Sequence, residues 1–323
     1  MNLKKQQKQH MDHIVNLFDH VLKQMFPPIE QKRVDDIDGY LDLEFRKIVG
    51  QDQIKNQLRQ FVKKVKMDVI RRGDIRGKNK TSSALYHMCF SGSPGCGKTK
   101  MAEIVANLLY QMNLVDNQRV VKVPNSLELI GKYTGHTPDK VDQKFKEAKG
   151  GVLFIDEAYS LVDKRASVGE SSYQKEAIDT IMKHLDPPTC VVILAGYEEP
   201  MKQFFEMNDG LDRRVPYRFS FEPYTISQLI EILEILSKEK NEILADKSNL
   251  IQNQIPMMLN SFKKQSLIEK QQAGFINNWI DFSCLERDTR LNMYEVQNNP
   301  VLSHTLTQLD LQNGLTKFEQ LNY

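Results

Sequence analysis

The sequence has few of the features that mark membrane proteins, disulfide-rich proteins or zinc proteins. Its 323 residues include four cysteines, which are far apart and form no C-x-x-C pair. This spacing disfavours a zinc site and a disulfide framework, and it favours a reducing compartment such as the cytoplasm or nucleus. Nowhere do about 18 consecutive apolar residues occur, so we expect a soluble protein with no membrane span.

The chain also lacks an excess of charge of either sign. It has 44 Lys and Arg against 42 Asp and Glu, which gives a net charge of +2 at pH 7. A motor or loader that acts on nucleic acid would normally show a basic stripe and aromatic stacking residues. Nucleic acid is therefore a disfavoured partner, and a nucleic-acid motor is the third of three hypotheses.

The N-terminal part of the chain has helical patterns. Between Met11 and Met25 apolar residues recur at steps of three and four, which predicts an amphipathic helix that ends at Pro27. A second helical pattern runs from Gln53 toward Ile70, and an exposed loop of charge, glycine and serine follows it. We therefore expect a helical N-terminal extension over residues 1–40.

Five short β-like runs occupy the middle of the chain, and most are separated by segments of helical length. They are Leu85–Ser91, Arg119–Val123, Gly151–Ile155, Cys190–Ala195 and Arg218–Phe221. This alternation predicts an α/β fold over residues 41–224, with a five-stranded parallel sheet between two layers of helices. Strand signals stop after Tyr224, so we expect residues 225–323 to form a small helical lid and a C-terminal tail.

A complete phosphate-binding loop follows the first predicted strand. The segment Gly92–Thr99, GSPGCGKT, satisfies G-x-x-x-x-G-K-[ST] and stands directly before a helix. Its glycines let backbone N–H groups curl around phosphate oxygens, Lys98 neutralises the β and γ phosphates, and Thr99 is a Mg²⁺ ligand. The residues predicted to bind ATP here are Ser93, Pro94, Gly95, Cys96, Gly97, Lys98, Thr99 and Lys100.

Two carboxylates follow the third predicted strand. In Gly151–Glu157, GVLFIDE, Asp156 can hold the Mg²⁺ shell and Glu157 can orient and deprotonate a water molecule. The alternative is that both residues only cap the next helix, where carboxylates are favoured on electrostatic grounds. In the company of a phosphate loop, the pair indicates ATP hydrolysis.

Together with other segments, these motifs resemble those of a known family. The segments GSPGCGKT, KYTGHT, GGVLFIDEAYSLV and VVILAGYEEPM, with FFEMNDGL, resemble the AAA+ ATPases of the CbbX/CfxQ and stage V sporulation protein K family. The likeness covers roughly Asp42 to Tyr224 in order and weakens after about Lys238. It implies a hexameric ring of identical chains that hydrolyses ATP between subunits.

The resemblance also implies an arginine that reaches across to the γ-phosphate held by a neighbouring subunit. The segment Gly210–Val215, GLDRRV, resembles the family's G-L-x-x-R-[IV] pattern, so Arg214 is the expected finger and Arg213 the fallback. The alternative is an ordinary surface arginine.

Three further assignments follow from the same likeness. Val49 and Gly50 match the family's adenine contacts, and Tyr197 falls at or next to the polar sensor at the end of the fourth strand. Tyr133 and Gly135 resemble the aromatic-x-Gly loop that grips a polypeptide in the pore of ring translocases. For each tyrosine the alternative is an ordinary packed aromatic side chain.

The lid departs from the family pattern. Its usual arginine, in a G-x-x-x-R-N-like helix start, falls on Asn277 in AGFINNWID, and Arg287 and Arg290 match that position less well. A neutral amide supplies no charge to the γ-phosphate. The first hypothesis is thus an ATPase that remodels or threads a protein client, of which a Rubisco activase-like role is one minority form. The second is a slowly hydrolysing, ATP-dependent switch or assembly scaffold.

Overall fold

The computed structural model describes residues 36–71, 85–131, 136–162, 168–208, 210–262 and 265–321, without the side chains of 168–172. The predicted helix at 11–25, the loop after Arg71 and the predicted pore loop with Tyr133 and Gly135 lie outside these ranges. Residues 36–323 form one compact unit. Within the described ranges, no helix is both long and apolar enough to cross a membrane.

A five-stranded parallel sheet forms the centre of the core, as the alternation of strands and helices predicts. Its strands are β1 Met88–Gly92, β2 Val120–Val123, β3 Val152–Ile155, β4 Val191–Gly196 and β5 Tyr217–Phe221. Their order across the sheet is β2-β3-β4-β1-β5. Every residue of β3 and β4 is buried, which agrees with the unbroken apolar runs VLFI and VVILA.

Helices cover both faces of this sheet. Those of the core are α1 Ile37–Phe45, α2 Asp52–Arg71, α3 Lys98–Gln111, α4 His136–Glu147, α5 Val168–Leu185, α6 Glu198–Glu206 and α7 Leu211–Arg214. The first three pack with Phe90 and Ile193 on one face, whereas α4, α5 and α6 pack with Leu153 and Leu194 on the other. Successive residues of a strand point to opposite faces, so β1, β3 and β4 contribute side chains to both apolar layers.

The lid is helical, as expected, but it also contains a short parallel bridge. Its helices are α8 Ile226–Glu239, α9 Lys247–Asn249, α10 Ile255–Ser261, α11 Gln265–Gln271, α12 Ala273–Arg290, α13 Met293–Asn298 and α14 Gln308–Leu321. The strands β6 Ile243–Leu244 and β7 Thr305–Leu306 pair in parallel. Two-residue strands carry too little pattern to be predicted, so the statement that strand signals stop after Tyr224 missed this bridge.

The lid has its own apolar core around Trp279. This side chain is fully buried, and its Nε1–H donates to the carbonyl oxygen of Leu311 at 2.8 Å. Val49, from the segment before α2, packs in the same cluster as Phe275 and Leu229 of the lid. The lid therefore shares apolar surface with the residues that precede α2.

Candidate nucleotide-binding and hydrolysis site

The carboxyl ends of β1, β3 and β4 meet at one edge of the sheet, because these strands are parallel and adjacent. A pocket of about 300 Å³ opens there. It is lined by Pro94, Gly95, Gly97, Lys98, Thr99, Lys100, Asp156, Glu157, Tyr159, Gly196 and Tyr197. The structure thus brings together the phosphate loop, both strand-end carboxylates and the expected sensor position.

The phosphate loop depends on backbone conformations that glycine allows. Gly95 and Gly97 have φ of +68° and +95°, in the left-handed region that side chains rarely adopt. The 14-residue helix α3 begins at Lys98, so its positive end faces the loop. The Lys98 ammonium is buried and donates to the carbonyl oxygens of Gly92, at 2.9 Å, and Ser93, at 2.8 Å. The lysine charge is therefore held inside the loop that would surround the phosphates.

Cys96 packs behind this loop. Its thiol is buried and donates to the carbonyl oxygen of Ser93 at 2.7 Å. Burial raises the pKa of the Cys96 thiol, and the nearby Lys98 ammonium only partly opposes this rise. The thiol is therefore neutral at pH 7 and contributes shape rather than charge to the loop.

The two strand-end carboxylates are set at different angles by the backbone. The Glu157 backbone N–H donates to Asp156 Oδ1 at 2.9 Å, which fixes the Asp156 side chain. Glu157 has φ of +50° and ψ of 39°, an uncommon left-handed conformation for a residue with a side chain. Such strain recurs at functional sites, where it turns a side chain away from the direction of the strand.

Ser126 fixes the Glu157 peptide from the neighbouring strand. It is fully buried just after β2, and its Oγ–H donates to the Glu157 carbonyl oxygen at 2.9 Å. The sequence reasoning missed this residue, because no local motif links a serine to a peptide 31 positions further on. Only the adjacency of β2 and β3 brings the two together.

Tyr197 lies at the pocket and stacks on a second tyrosine. Its ring is 5.5 Å from that of Tyr159, at an interplanar angle of 29°, and 38% of the residue is exposed. Burial, reinforced by the Glu157 carboxylate, raises the pKa of Tyr159, so this phenol stays protonated beside the acids. Tyr197 thus both lines the pocket and packs against an aromatic side chain, and its sensor role stays a prediction.

Val49 and Gly50 lie apart from the phosphate pocket. Val49 is buried in the lid cluster, and a Cβ added at Gly50, where φ is +58°, would lie 2.5 Å from Gln228 Nε2 of the lid. Their side-by-side position between core and lid is compatible with an adenine contact, which stays a prediction.

The two arginines of α7 are oriented differently. Arg213 is exposed. Arg214 is half-buried, its Nη1 donates to the Gly210 carbonyl oxygen at 3.3 Å, and its buried Nε has no hydrogen-bond partner among the described residues. Neither arginine lines the pocket of its own chain. A finger serves a neighbouring subunit, so this arrangement leaves the assignment of Arg214 as a prediction.

The pocket offers a small set of oxygen ligands for a cation. Thr99 and Asp156 line it together. Among the described residues, no group of three or more His, Cys, Asp or Glu side chains could hold a metal ion. Mg²⁺ commonly takes one or two protein oxygens and completes its shell with phosphate oxygens and water, so the donors fit this ion.

Comparison with known proteins agrees with this geometry. Residues 88–221 match the family AAA, "ATPase family associated with various cellular activities". The chain is 32% identical to stage V sporulation protein K of Bacillus subtilis, over 78% of this chain and 76% of that protein. It is 29% identical to a CfxQ homolog of Trieres chinensis, over 86% of this chain and 96% of that protein.

A third relative is the chloroplastic ribulose bisphosphate carboxylase/oxygenase activase of Cyanidioschyzon merolae. The identity is 34%, over 65% of this chain and 68% of that protein. The strand order, the phosphate loop and these relatives agree in one assignment. The chain belongs to the AAA family of ATPases, in the group that contains stage V sporulation protein K and the CfxQ proteins.

Proposed function

We propose that this chain binds ATP with Mg²⁺ and hydrolyses it to remodel a protein client, which is threaded through the pore of a ring. One observation carries the proposal. A single pocket joins a phosphate loop that retains its lysine and threonine to an Asp-Glu pair at the end of the buried strand β3. This combination has groups for charge neutralisation, for metal binding and for activation of water.

In the proposed mechanism, the loop N–H groups and the start of α3 bind the β and γ phosphates, and Lys98 neutralises them. Thr99 and Asp156 would hold Mg²⁺, which when bound neutralises charge on the phosphate oxygens. Glu157 orients the attacking water and accepts its proton. Ser126 keeps the Glu157 peptide in its left-handed conformation, so the carboxylate is directed before ATP arrives.

The remaining parts of the proposal concern assembly and client. AAA proteins typically form oligomeric rings, and we propose a homo-hexamer in which Arg214 completes the site of the next subunit. Tyr133 and Gly135 would contact the client in the pore. One relative is named as a Rubisco activase, so the carboxylase is one candidate client. All four cysteines are free thiols, which fits the reducing compartment, cytoplasm or nucleus, that we propose.

A second candidate function is the slowly hydrolysing switch or scaffold. The observation in its favour is the lid position that usually carries arginine. There, Asn277 Nδ2 donates to Asp281 Oδ2 on the same helix at 3.2 Å, so it provides no charge to a phosphate. A remodeller and a switch differ in turnover, which is directly measurable.

Steady-state ATP turnover of the purified protein, measured across a concentration series, tests the proposal. We expect specific activity to rise with protein concentration, since the site lies between subunits. Glu157→Gln should lower turnover by at least about 100-fold while ATP still binds. Arg214→Ala should lower it by about 1,000-fold, whereas Arg213→Ala should change it little.

Mixing the two inactive variants distinguishes a shared site from a site within one chain. In a mixed ring, some interfaces receive Glu157 from one variant and Arg214 from the other. Activity should therefore reappear on mixing Glu157→Gln with Arg214→Ala. Binding of ATP with negligible wild-type turnover would replace the remodelling proposal by the switch.

A further inference from the structure

The lid touches the phosphate loop through the backbone at Gly95. The Ala273 N–H, at the start of α12, donates to the Gly95 carbonyl oxygen at 3.3 Å. A Cβ added at Gly95 would lie 2.1 Å from the Gln271 carbonyl oxygen, so the two backbones are in direct contact. A change in the conformation of this loop would therefore act on the lid directly through the backbone.

A second contact links the loop to the segment that follows β5. The Cys96 carbonyl oxygen accepts hydrogen bonds from Tyr224 Oη, at 3.1 Å, and Gln51 Nε2, at 3.3 Å. Gln51 also makes two hydrogen bonds with the backbone of Glu222. Gln51 Nε2 donates to the Glu222 carbonyl oxygen at 2.7 Å, and Gln51 Oε1 accepts from the Glu222 N–H at 3.1 Å. The Cys96 peptide is thus tied to the connection between the sheet and the lid.

Gln272 continues this connection into the lid. Its side-chain oxygen accepts from the Tyr224 N–H at 2.8 Å, and its Nε2 donates to the Glu269 carbonyl oxygen at 2.8 Å. The residue is 2% exposed and has φ of +52°, an unfavourable conformation for a residue with a side chain. The strained backbone places this buried amide between α11 and α12, at the corner of the lid that meets the loop.

The charged side chains that the sequence offered for nucleotide sensing are bonded elsewhere. Arg287 pairs with Glu242 and with Asp288, and it is almost fully buried in the lid. Arg290 donates two hydrogen bonds to Asp310. Because both arginines are paired with carboxylates of the lid, uncharged groups are the contacts that link the loop to the lid.

We propose that Tyr224 and Gln272 are positioning residues that couple nucleotide binding in the phosphate loop to the orientation of the lid. The inference rests on the proposed function, since it requires ATP in that loop. Phosphate oxygens that attract the loop N–H groups would reorient the peptides at 95–97, including the Cys96 carbonyl. Tyr224 would pass this movement to Gln272 and so to the start of α12.

The chemistry of the tyrosine suits this role. Burial, reinforced by Cys96, raises the pKa of Tyr224 to about 12, so its hydroxyl is a neutral donor throughout the physiological pH range. A Cβ added at Gly97 would lie 2.9 Å from the Tyr224 hydroxyl oxygen, which shows how closely the ring end fits the loop. Movement of the loop toward the ring would therefore displace the hydroxyl.

Two variants test the coupling. Tyr224→Phe keeps the ring and removes the hydroxyl, and Gln272→Gly removes the amide and suits the positive φ. Tyr217→Phe on β5 and Gln308→Ala, whose amide contacts Gln254 in the lid, are matched controls. Each protein is titrated with a non-hydrolysable ATP analogue, and its dissociation constant is measured.

Lid movement is followed in the same samples by hydrogen exchange of the α12 amides. Emission of Trp279, the single tryptophan of the chain, provides a second signal from inside the lid. We expect the analogue to slow exchange in wild type and both controls. In Tyr224→Phe and Gln272→Gly this response should shrink at least about threefold, while the dissociation constant changes by less than about threefold.

The alternative outcomes are distinguishable. A wild-type lid response retained in both variants would overturn the coupling, as would a response that is lost only in proportion to weaker binding. A wild-type protein that binds the analogue with no response in its lid would also overturn it, while the proposed function would stand. A wild-type protein that fails to bind the analogue would overturn the proposed function itself.

Discussion

Different kinds of interaction stabilise the phosphate-binding edge of the sheet and the lid. At the sheet edge, backbone conformation determines the shape of the site. Gly95, Gly97 and Glu157 have positive φ, and Lys98 donates to backbone carbonyls. In the lid, buried polar side chains bond to one another. Asp310 is 1% exposed and accepts from both Arg290 and Thr307.

This difference explains how each region tolerates change. A site shaped by backbone conformation needs the absence of side chains at certain positions, so even one added methyl group is harmful. A region held by buried polar pairs needs both partners, because a single removal leaves the other group unsatisfied.

The largest effect is expected from adding a methyl group at Gly95. Gly95→Ala must accommodate a positive φ and a Cβ 2.1 Å from the Gln271 carbonyl oxygen. We expect the free energy of unfolding to fall by ~2–4 kcal/mol and ATP affinity to fall at least tenfold. Denaturant titration and nucleotide titration measure the two quantities.

Gly274 provides the matched control, since it lies in the first turn of α12 and a Cβ there meets nothing within 4 Å. Gly274→Ala should be neutral or stabilise the protein by ~0.4–1 kcal/mol. Equal effects of Gly95→Ala and Gly274→Ala would contradict the claim that the phosphate loop depends on the absence of a side chain at Gly95.

The next effect concerns the lid. Asp310→Asn replaces a buried carboxylate that accepts two hydrogen bonds from Arg290, each 2.9 Å long, and one from the Thr307 N–H. We expect a loss of ~2–3 kcal/mol in the free energy of unfolding, measured by urea denaturation. Lys122→Met breaks an exposed pair with Glu103 and should cost less than ~1 kcal/mol. Equal losses would show that burial does not strengthen the lid pair.

A buried histidine in the core gives a smaller, pH-dependent effect. His87 Nδ1 accepts from the Val192 N–H at 2.9 Å, so Nε2 carries the hydrogen and donates to the Leu185 carbonyl oxygen. Burial lowers the pKa of His87 below its unfolded value, despite the opposing effect of Leu185. The unfolded chain therefore binds this proton more readily than the folded protein does.

Stability should consequently decline as the pH falls below the unfolded pKa of about 6.5, by up to about 1.4 kcal/mol per pH unit, until the folded-state pKa is passed. Unfolding curves between pH 7.5 and about 5 test this. His87→Gln should lose this component, and the exposed His304→Gln should retain it. An unchanged slope in His87→Gln would assign the pH dependence to other groups.

The two regions also differ in how well the sequence predicts them. All five strands lie within three residues of their expected bounds, because apolar runs such as VLFI that alternate with segments of helical length are typical of buried parallel strands. The loop and the two acids form one pocket because parallel strands end at the same edge. These features follow from local pattern together with one general rule of topology.

The helical character of the lid followed from the sequence, but its two-residue strands and its link to the loop did not. Gln272 adopts a positive φ in the stretch QQAG, although glycine is the residue usually found in that conformation. The sequence does not distinguish it from the neighbouring Gln271. The bond between Tyr224 and Cys96 spans 128 positions, and that between Ser126 and Glu157 spans 31. Such contacts arise from tertiary packing and leave no periodic signal.

The position of β1 within the sheet has a consequence for synthesis on the ribosome. Met88 pairs with Ile193 on one side and with Tyr217 on the other, so both partners of this strand are made long after it. Until residues as far as Phe221 have left the exit tunnel, MCFSG is an apolar strand with two free edges. Loop closure over such distances slows folding, so the nascent chain has a prolonged opportunity to aggregate before it can bind its first nucleotide.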